Sequence, residues 1–144
     1  MRCLSIRQPW AWLIVHGHKP IENRDWSTSW RGELLIHAGK VFDAAALDGI
    51  RDFFPEVHRQ LPQQYELGGI VGVATLVDCV TQSQSPWFMG PYGLVLQDAR
   101  PIAFRPWRGQ LSFFDVPLDD ALRAELGRPS AAEAEAAGQA RMFS

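Results

Sequence analysis

The residues best suited to chemistry lie in one short polar stretch, Gly17-His18-Lys19-Pro20-Ile21-Glu22-Asn23-Arg24. Alternate side chains of an extended chain share a face, so Glu22 and Arg24 should point the same way, and a kink at Pro20 would let Lys19 join them. Two cations beside a carboxylate could bind a phosphate or a carbonyl oxygen. They could equally form an exposed ion-pair network, in which each pair contributes about 0–1 kcal/mol. The residues themselves leave both interpretations open.

The elements before this stretch have to position it. Alternating apolar and polar residues predict a strand over 3–7, and Pro9 favours the start of a helix over the apolar run 10–16. Gly17 is well placed to end that helix, because helices commonly close on a left-handed residue. The polar stretch should therefore follow a buried helix and lead into an extended segment, where irregular backbone can aim side chains into a cleft.

The remaining elements predict the fold class. Strands are expected at 33–38, 69–80, 94–97, 102–104 and 111–116, and helices at 43–54, with Asp43 as its cap, and at 119–126. Six strands with two or three helices, not in strict alternation, predict an α+β fold built on a small curled sheet or barrel. We place the domain at 1–117 and a C-terminal helix and flexible tail at 118–144. After Pro129 the chain lacks an apolar stripe, which predicts a frayed or disordered tail.

Length and composition exclude several classes of protein. The 144 residues suffice for one domain, and 47% hydrophobic with 21% charged residues excludes a mostly disordered chain. The longest apolar run is too short to span a bilayer, and the first residues lack the apolar region of a signal peptide. Cys3 and Cys79 have neither metal-binding nor redox spacing, which predicts a reduced, cytoplasmic protein. The histidines also lack standard ligand spacing, so we expect neither metal nor cofactor.

The charge is unevenly distributed. The net charge is −2, yet residues 1–40 hold six Lys or Arg against three acids, together with four of the six tryptophans. A basic, aromatic-rich region suits an anionic ligand with flat rings, such as a nucleotide or nucleic acid. Tryptophans filling a core beside solvated arginines would give the same composition.

Two further segments combine aromatic residues with loop or basic character. The loop at 83–93 holds Trp87, Phe88 and Tyr92 and could form a lid that stacks a base. The turn Arg105-Pro106-Trp107-Arg108 could follow a phosphate backbone, or could be a solvated turn with its tryptophan packed on the sheet.

The motifs Leu4-Ser5-Ile6-Arg7-Gln8-Pro9-Trp10-Ala11 and Gly17-x-Lys19-x-x-Glu22-x-Arg24, followed by Trp26, resemble the ASCH (activating signal cointegrator homology) domain family. The resemblance covers about residues 3–117. It implies a PUA-like fold, a small β-barrel of about six strands with flanking helices, and a cleft beside the second motif. It further implies a module that binds RNA or a modified nucleotide.

Carried over to this chain, the resemblance makes Lys19, Glu22 and Arg24 the cleft residues, with Trp10 and Trp26 as aromatic candidates beside them. Trp87 and Arg105 complete the expected ligand-binding set, through base stacking and phosphate contact respectively. Three or four phosphate contacts in all are expected, and hence modest affinity.

Some members of the family resembled here are hydrolases, acting on modified nucleosides or on RNA, and this is the alternative function. The nucleoside amidohydrolase type has Thr where this chain has Glu22, which puts its mechanism in doubt here. A hydrolase built on these residues would use Glu22 to orient or deprotonate water, with Lys19 and Arg24 stabilising the oxyanion. An adaptor that binds no ligand is the third hypothesis.

Overall fold

The computed structural model describes residues 1–142. The strands are β1 (Arg2–Gln8), β2 (Ile21–Arg24), β3 (Gly32–Phe42), β4 (Gly69–Val80), β5 (Tyr92–Pro106) and β6 (Phe113–Asp115). The helices are α1 (Trp10–Val15), α2 (Ala45–Phe53), α3 (Pro55–His58), α4 (Asp120–Glu125) and α5 (Ala131–Met142). In the described part of the chain no helix is both long and apolar enough to cross a membrane.

The six strands form one mixed sheet in the order β2-β5-β4-β3-β1-β6. The β1–β3 pair is parallel and the other neighbours are antiparallel. The α+β class and the number of strands are therefore confirmed, although the strand β2 lies in the stretch that was expected only to be extended. Within the described residues the two edge strands, β2 and β6, do not pair with each other. The sheet is therefore open, whereas the resemblance implies a closed barrel.

The strand β5 is longer than the sequence predicts. Two short strands with a turn between them were expected across this region, yet the chain runs as one 15-residue strand that pairs with both β2 and β4. The polar residues that suggest a turn lie instead at irregularities, where Asp98 has a φ of 53° and the register with β4 shifts. Bulges of this kind bend a strand without ending it.

Two helices differ from what the sequence predicts. Asp43 makes no capping hydrogen bond to α2, because its carboxylate accepts a hydrogen bond from the indole of Trp10 instead. The segment after Pro129 forms α5 up to the last described residue, although it lacks an apolar stripe. Its many Ala and Glu residues have high intrinsic helix propensity, which explains helix without amphipathicity. The division of the chain near residue 117 and the flexibility of the C-terminal tail remain predictions.

The helix α1 packs closely on β4, and this contact fixes where the polar stretch begins. A Cβ at Gly72 would lie 2.3 Å from Val15 Cγ1 and 2.6 Å from the Arg100 carbonyl oxygen, so only glycine allows this approach. Gly17, with a φ of +81°, then reverses the chain. The backbone N–H of Lys19 donates to the Leu13 carbonyl at 3.0 Å, which brings Lys19 back beside α1.

Candidate functional site

Lys19, Glu22 and Arg24 form an ion triad in which Lys19 and Glu22 are buried and Arg24 is partly buried. Lys19 Nζ lies 3.0 Å from Glu22 Oε1, and Arg24 Nη2 lies 3.1 Å from Glu22 Oε2. Lys19 is 4% and Glu22 is 7% exposed, whereas 21% of the Arg24 side chain is exposed. The triad carries a net charge of +1, and Arg24 is its most accessible member. The sequence predicts this convergence, and the burial excludes an exposed ion-pair network.

Backbone groups complete the triad. Lys19 Nζ donates to the Ile21 carbonyl at 2.7 Å, and Arg24 Nη2 donates to the Ser5 carbonyl at 2.8 Å. Glu22 Oε1 also accepts the N–H of Asn23 at 3.2 Å. Both carboxylate oxygens are thus occupied by donors. Arg24 Nε is buried and has no hydrogen-bond partner among the described residues.

The strand β2 and the loop at 83–91 are joined through Asn23. Its amide nitrogen donates to the Trp87 carbonyl at 3.0 Å, and its amide oxygen accepts the N–H groups of Met89 at 2.8 Å and Gly90 at 3.2 Å. These three hydrogen bonds fix the loop against the strand that carries Glu22 and Arg24. The loop therefore forms one wall of the site next to the triad.

A cavity of about 970 Å³ opens beside the triad. Lys19, Glu22 and Arg24 all line it, and most of the remaining lining is apolar. Several large apolar side chains that are exposed to solvent belong to this lining, namely Val41 at 57%, Phe53 at 80%, Met89 at 83% and Leu111 at 97%. The cleft therefore joins a charged group to an apolar mouth, which suits a ligand with an anionic or carbonyl group and a flat apolar part.

The aromatic candidates differ in their relation to the cleft. Trp10 lines it, its indole held by Asp43 at 3.2 Å and its ring centroid 5.5 Å from Lys19 Nζ. Trp87 also lines it but is 9% exposed and stacks on Phe54 at 3.7 Å, so one of its faces is already covered. Trp26 is not part of the lining, because its ring packs edge-on against Phe113. The centroid of the Trp26 ring lies 5.9 Å from the guanidinium carbon of Arg24.

Arg105 does not reach this cleft. It makes a bidentate ion pair with Asp119, with nitrogen–oxygen distances of 2.8 and 3.0 Å, and is absent from the cavity lining. Asp119 also caps α4, so the pair ties the end of β5 to that helix. Contact between Arg105 and a ligand phosphate therefore stays a prediction, and it would have to occur outside the cleft.

A second cavity of about 800 Å³ adjoins the first and shares Ser5, Gly39, Lys40, Gln110 and Leu111 with it. Its wall includes His37, which is 1% exposed and hydrogen-bonds to Ser5 Oγ at 2.9 Å and to the Trp107 carbonyl at 2.6 Å. Sequence reasoning missed Ser5 and His37. They lie far from the polar stretch in the chain, and only the β1–β3 pairing, which sets Ser5 opposite His37, brings them together.

Among the described residues, no group of three or more His, Cys, Asp or Glu side chains lies close enough to hold a metal ion. Cys3 and Cys79 are free thiols, and burial raises the pKa of Cys3 to about 12.

The triad makes stability depend on pH in a defined direction. Burial acts to raise the pKa of the Glu22 carboxyl, but the charges and hydrogen bonds of Lys19 and Arg24 outweigh it and hold the pKa below its ordinary value of 4.5. The ionised carboxylate therefore adds stability that is complete above pH 4.5 and is lost as the pH falls through the lower pKa of the folded state.

We therefore expect the difference in Tm between wild type and Glu22→Gln to narrow on acidification from about pH 6 to about pH 3. Thermal melts across this range measure it. Glu56→Gln is the control, because Glu56 pairs with Arg59 at the exposed surface. A Tm difference for Glu22→Gln that stays constant with pH would contradict the assignment of an ionised Glu22.

Comparison with known proteins adds sequence and fold relationships. The model of the ASCH domain family matches residues 4–98. Human activating signal cointegrator 1 is 35% identical over 86 residues, which are 57% of this chain and 15% of the human protein. The mouse protein of the same name is 37% identical over the same length. The chain thus spans about 15% of the length of these curated relatives.

Solved structures show the same fold. The crystal structure of an ASCH protein from Zymomonas mobilis aligns with a TM-score of 0.51 at 14% identity, covering 88% of this chain and 92% of that one. A single-substitution variant of that protein aligns with the same TM-score of 0.51, and the alignment covers 88% of this chain and 95% of the variant's chain.

Proposed function

Because this chain belongs to the ASCH domain family, we propose that it binds single-stranded RNA or a modified nucleotide, with one base and an adjoining anionic group in the cleft beside the ion triad. The observation that carries the proposal is the ion triad of net charge +1 on the wall of a largely apolar cavity. Charged groups removed from water need a partner, and here one carboxylate serves two cations, so one positive charge is left for a ligand.

The triad offers its charge chiefly through Arg24. The Glu22 carboxylate holds Lys19 and Arg24 in place from opposite oxygens, so both cations are oriented before a ligand arrives. Arg24 is the most exposed of the three side chains, and its hydrogen bonds to Ser5 and Glu22 both come from Nη2. A phosphate or a base carbonyl oxygen could accept from the remaining donors, because planar guanidinium groups suit such acceptors.

Trp10 and the apolar mouth supply the surface for a base. Asp43 fixes the indole of Trp10, so its ring is held at the wall of the cavity next to Lys19. Stacking on aromatic side chains is the usual way in which proteins hold an unpaired base. Trp87, with one face covered by Phe54, would form part of the wall.

The geometry favours binding over the alternative of hydrolysis by Glu22. A carboxylate is best suited to activating water when it is free to accept the proton and has a pKa near the working pH. Glu22 has both oxygens occupied by cationic donors, and these hold its pKa below the ordinary value although burial alone would raise it. Glu22 is therefore suited to orienting the cations.

Titration of intrinsic tryptophan fluorescence tests the proposal. Adding a nucleoside 5′-monophosphate, and separately a short RNA, should change the emission saturably, because Trp10 lines the cleft. Trp10→Phe should lose most of this change. Trp12→Phe should keep it, since Trp12 stacks on His16 outside the cavity lining. Absence of a saturable change with either ligand would rule out the proposed function.

A further inference from the structure

Most cationic side chains of this protein already have a partner. In residues 1–139, whose side chains the structure describes, those paired with a carboxylate are Lys19, Arg24, Arg31, Arg51, Arg59, Arg105 and Arg128. Arg100 and Arg123 donate to backbone carbonyls, and Arg2 lies over the rings of Trp30 and Phe113. Within this range, Arg7, Lys40 and Arg108 are the cations that have no such partner.

These three cations all line the two adjoining cavities. Arg7 lies in the wall of the cleft, Arg108 lies in the wall of the second cavity, and Lys40 belongs to both. The second cavity has no carboxylate in its lining. In the cleft the acids are Glu22, which the triad neutralises, and Asp25. Unneutralised positive charge is thus concentrated along this connected surface, which we call the groove.

The buried His37 holds in place the loop that carries Arg108. The buried His37 donates through Nε2 to the carbonyl of Trp107 at 2.6 Å, the residue before Arg108. Gly109 follows, and a Cβ there would lie 2.8 Å from His37 Cε1, so the loop rests directly on the imidazole. A Cβ at Gly68 would lie 3.4 Å from Cγ and from Cε of Lys40, so the stem of Lys40 runs close to that glycine. A groove supported in this way needs little reordering to receive a ligand.

We propose that Arg7, Lys40 and Arg108 form a track for the phosphates of a single strand, so that the ligand is an oligonucleotide of several residues rather than a free nucleoside. This inference rests on the proposed function, because it assumes that one base of the ligand occupies the cleft. Arg7, Lys40 and Arg108 form no ion pair within residues 1–139, and even with Asp25 in the cleft the groove keeps an excess of positive charge, which an extended anion would neutralise. A free nucleoside carries no phosphate, and a mononucleotide has only one to bring to Arg24.

Binding of two ligands by three proteins tests the track. The ligands are cytidine 5′-monophosphate and an oligocytidylate of about eight nucleotides. The proteins are the wild type, the track variant Arg7→Ala/Lys40→Ala/Arg108→Ala, and the control variant Arg51→Ala/Arg59→Ala/Arg128→Ala. Both variants lose three positive charges, but the control residues are in ion pairs away from the lining of either cavity.

We expect the wild type to bind the oligonucleotide at least about tenfold more tightly than the monophosphate at low salt. Its log–log salt slope should be about −2.8 for the oligonucleotide, from four contacts, and about −0.7 for the monophosphate, from one. The track variant should bind both ligands with nearly the affinity and slope of the monophosphate. The control variant should behave as the wild type.

The outcomes separate the two proposals. If the wild type binds the two ligands equally, or if the track variant keeps the steep slope, the track is wrong while the cleft proposal stands. If the track and control variants lose oligonucleotide affinity to the same extent, net charge explains the binding and the track is again wrong. If neither ligand binds the wild type, both proposals fail.

Discussion

Replacing Glu22 by Gln should lower the free energy of unfolding by about 3–5 kcal/mol, the range seen when one partner of a buried ion pair is removed. The variant leaves Lys19 and Arg24 close together without the carboxylate that lies 3.0 and 3.1 Å from them. The amide can accept a hydrogen bond from one cation, but its NH2 group then faces the other. For a domain of this length the Tm should fall by about 10 °C.

Thermal and urea unfolding at neutral pH measure this effect. Glu56→Gln is the matched control, because it removes the carboxylate of an exposed pair with Arg59, and it should change stability by less than about 1 kcal/mol. A Tm of Glu22→Gln within about 2 °C of the wild type would show that the triad is not a buried, charged unit.

A double variant distinguishes the effect of charge on stability from the effect of packing at the triad. Lys19→Met in the Glu22→Gln background removes the more buried of the two cations and keeps a side chain of similar length. The double variant should recover part of the lost stability, because Arg24, at 21% side-chain exposure, then remains without a like charge beside it. Further loss of stability in the double variant would show that packing, rather than charge, explains the effect of Glu22→Gln.

Local patterns in the sequence predicted the elements that position the triad. The strand at 69–80 has the predicted bounds, and α1 ends where Gly17 provides a left-handed residue. The alternation of an extended chain correctly places Glu22 and Arg24 within reach of each other. These successes share one cause, since each depends on residues within a few positions of one another along the chain.

Features that depend on distant pairing could not be predicted in the same way. Arg105 and Arg108 belong to one basic turn in the sequence, yet Arg105 pairs with Asp119 and Arg108 lines the second cavity. Asp43 has the right type and position for a helix cap, but the Trp10 indole competes for its carboxylate across 33 residues of chain. Only the assembled sheet decides which partner each polar group meets.

The groove is the clearest case of this limit. Its three cations come from β1, from β3 and from the loop after β5, and no spacing rule connects them. The sequence indicates only that residues 1–40 are basic as a group. It is the pairing of the other cations with carboxylates, carbonyls and rings that sets Arg7, Lys40 and Arg108 apart, and pairing is a property of the fold.

Arg24→Ala should weaken binding of cytidine 5′-monophosphate by about 10- to 100-fold, the loss expected when a charged hydrogen-bond donor to a ligand anion is removed. Arg24 supplies the accessible charge of the triad, and without it the remaining pair of Lys19 and Glu22 is neutral. For the same reason the fold should be less affected than in Glu22→Gln, since no uncompensated charge is buried. Titration calorimetry or fluorescence measures the affinity, with a thermal melt of each sample.

Arg24→Lys distinguishes a specific role of the guanidinium from simple charge. In the wild type one guanidinium nitrogen donates both to the Ser5 carbonyl and to Glu22, and this leaves the other donors for a ligand. A lysine has a single terminal nitrogen and cannot hold both contacts in a plane while also meeting a phosphate, so it should restore less than half of the lost binding free energy. Arg31→Ala, at an exposed pair with Asp78, should leave binding unchanged. Full affinity in Arg24→Ala, with the melt unchanged, would mean that the ligand does not bind at the triad.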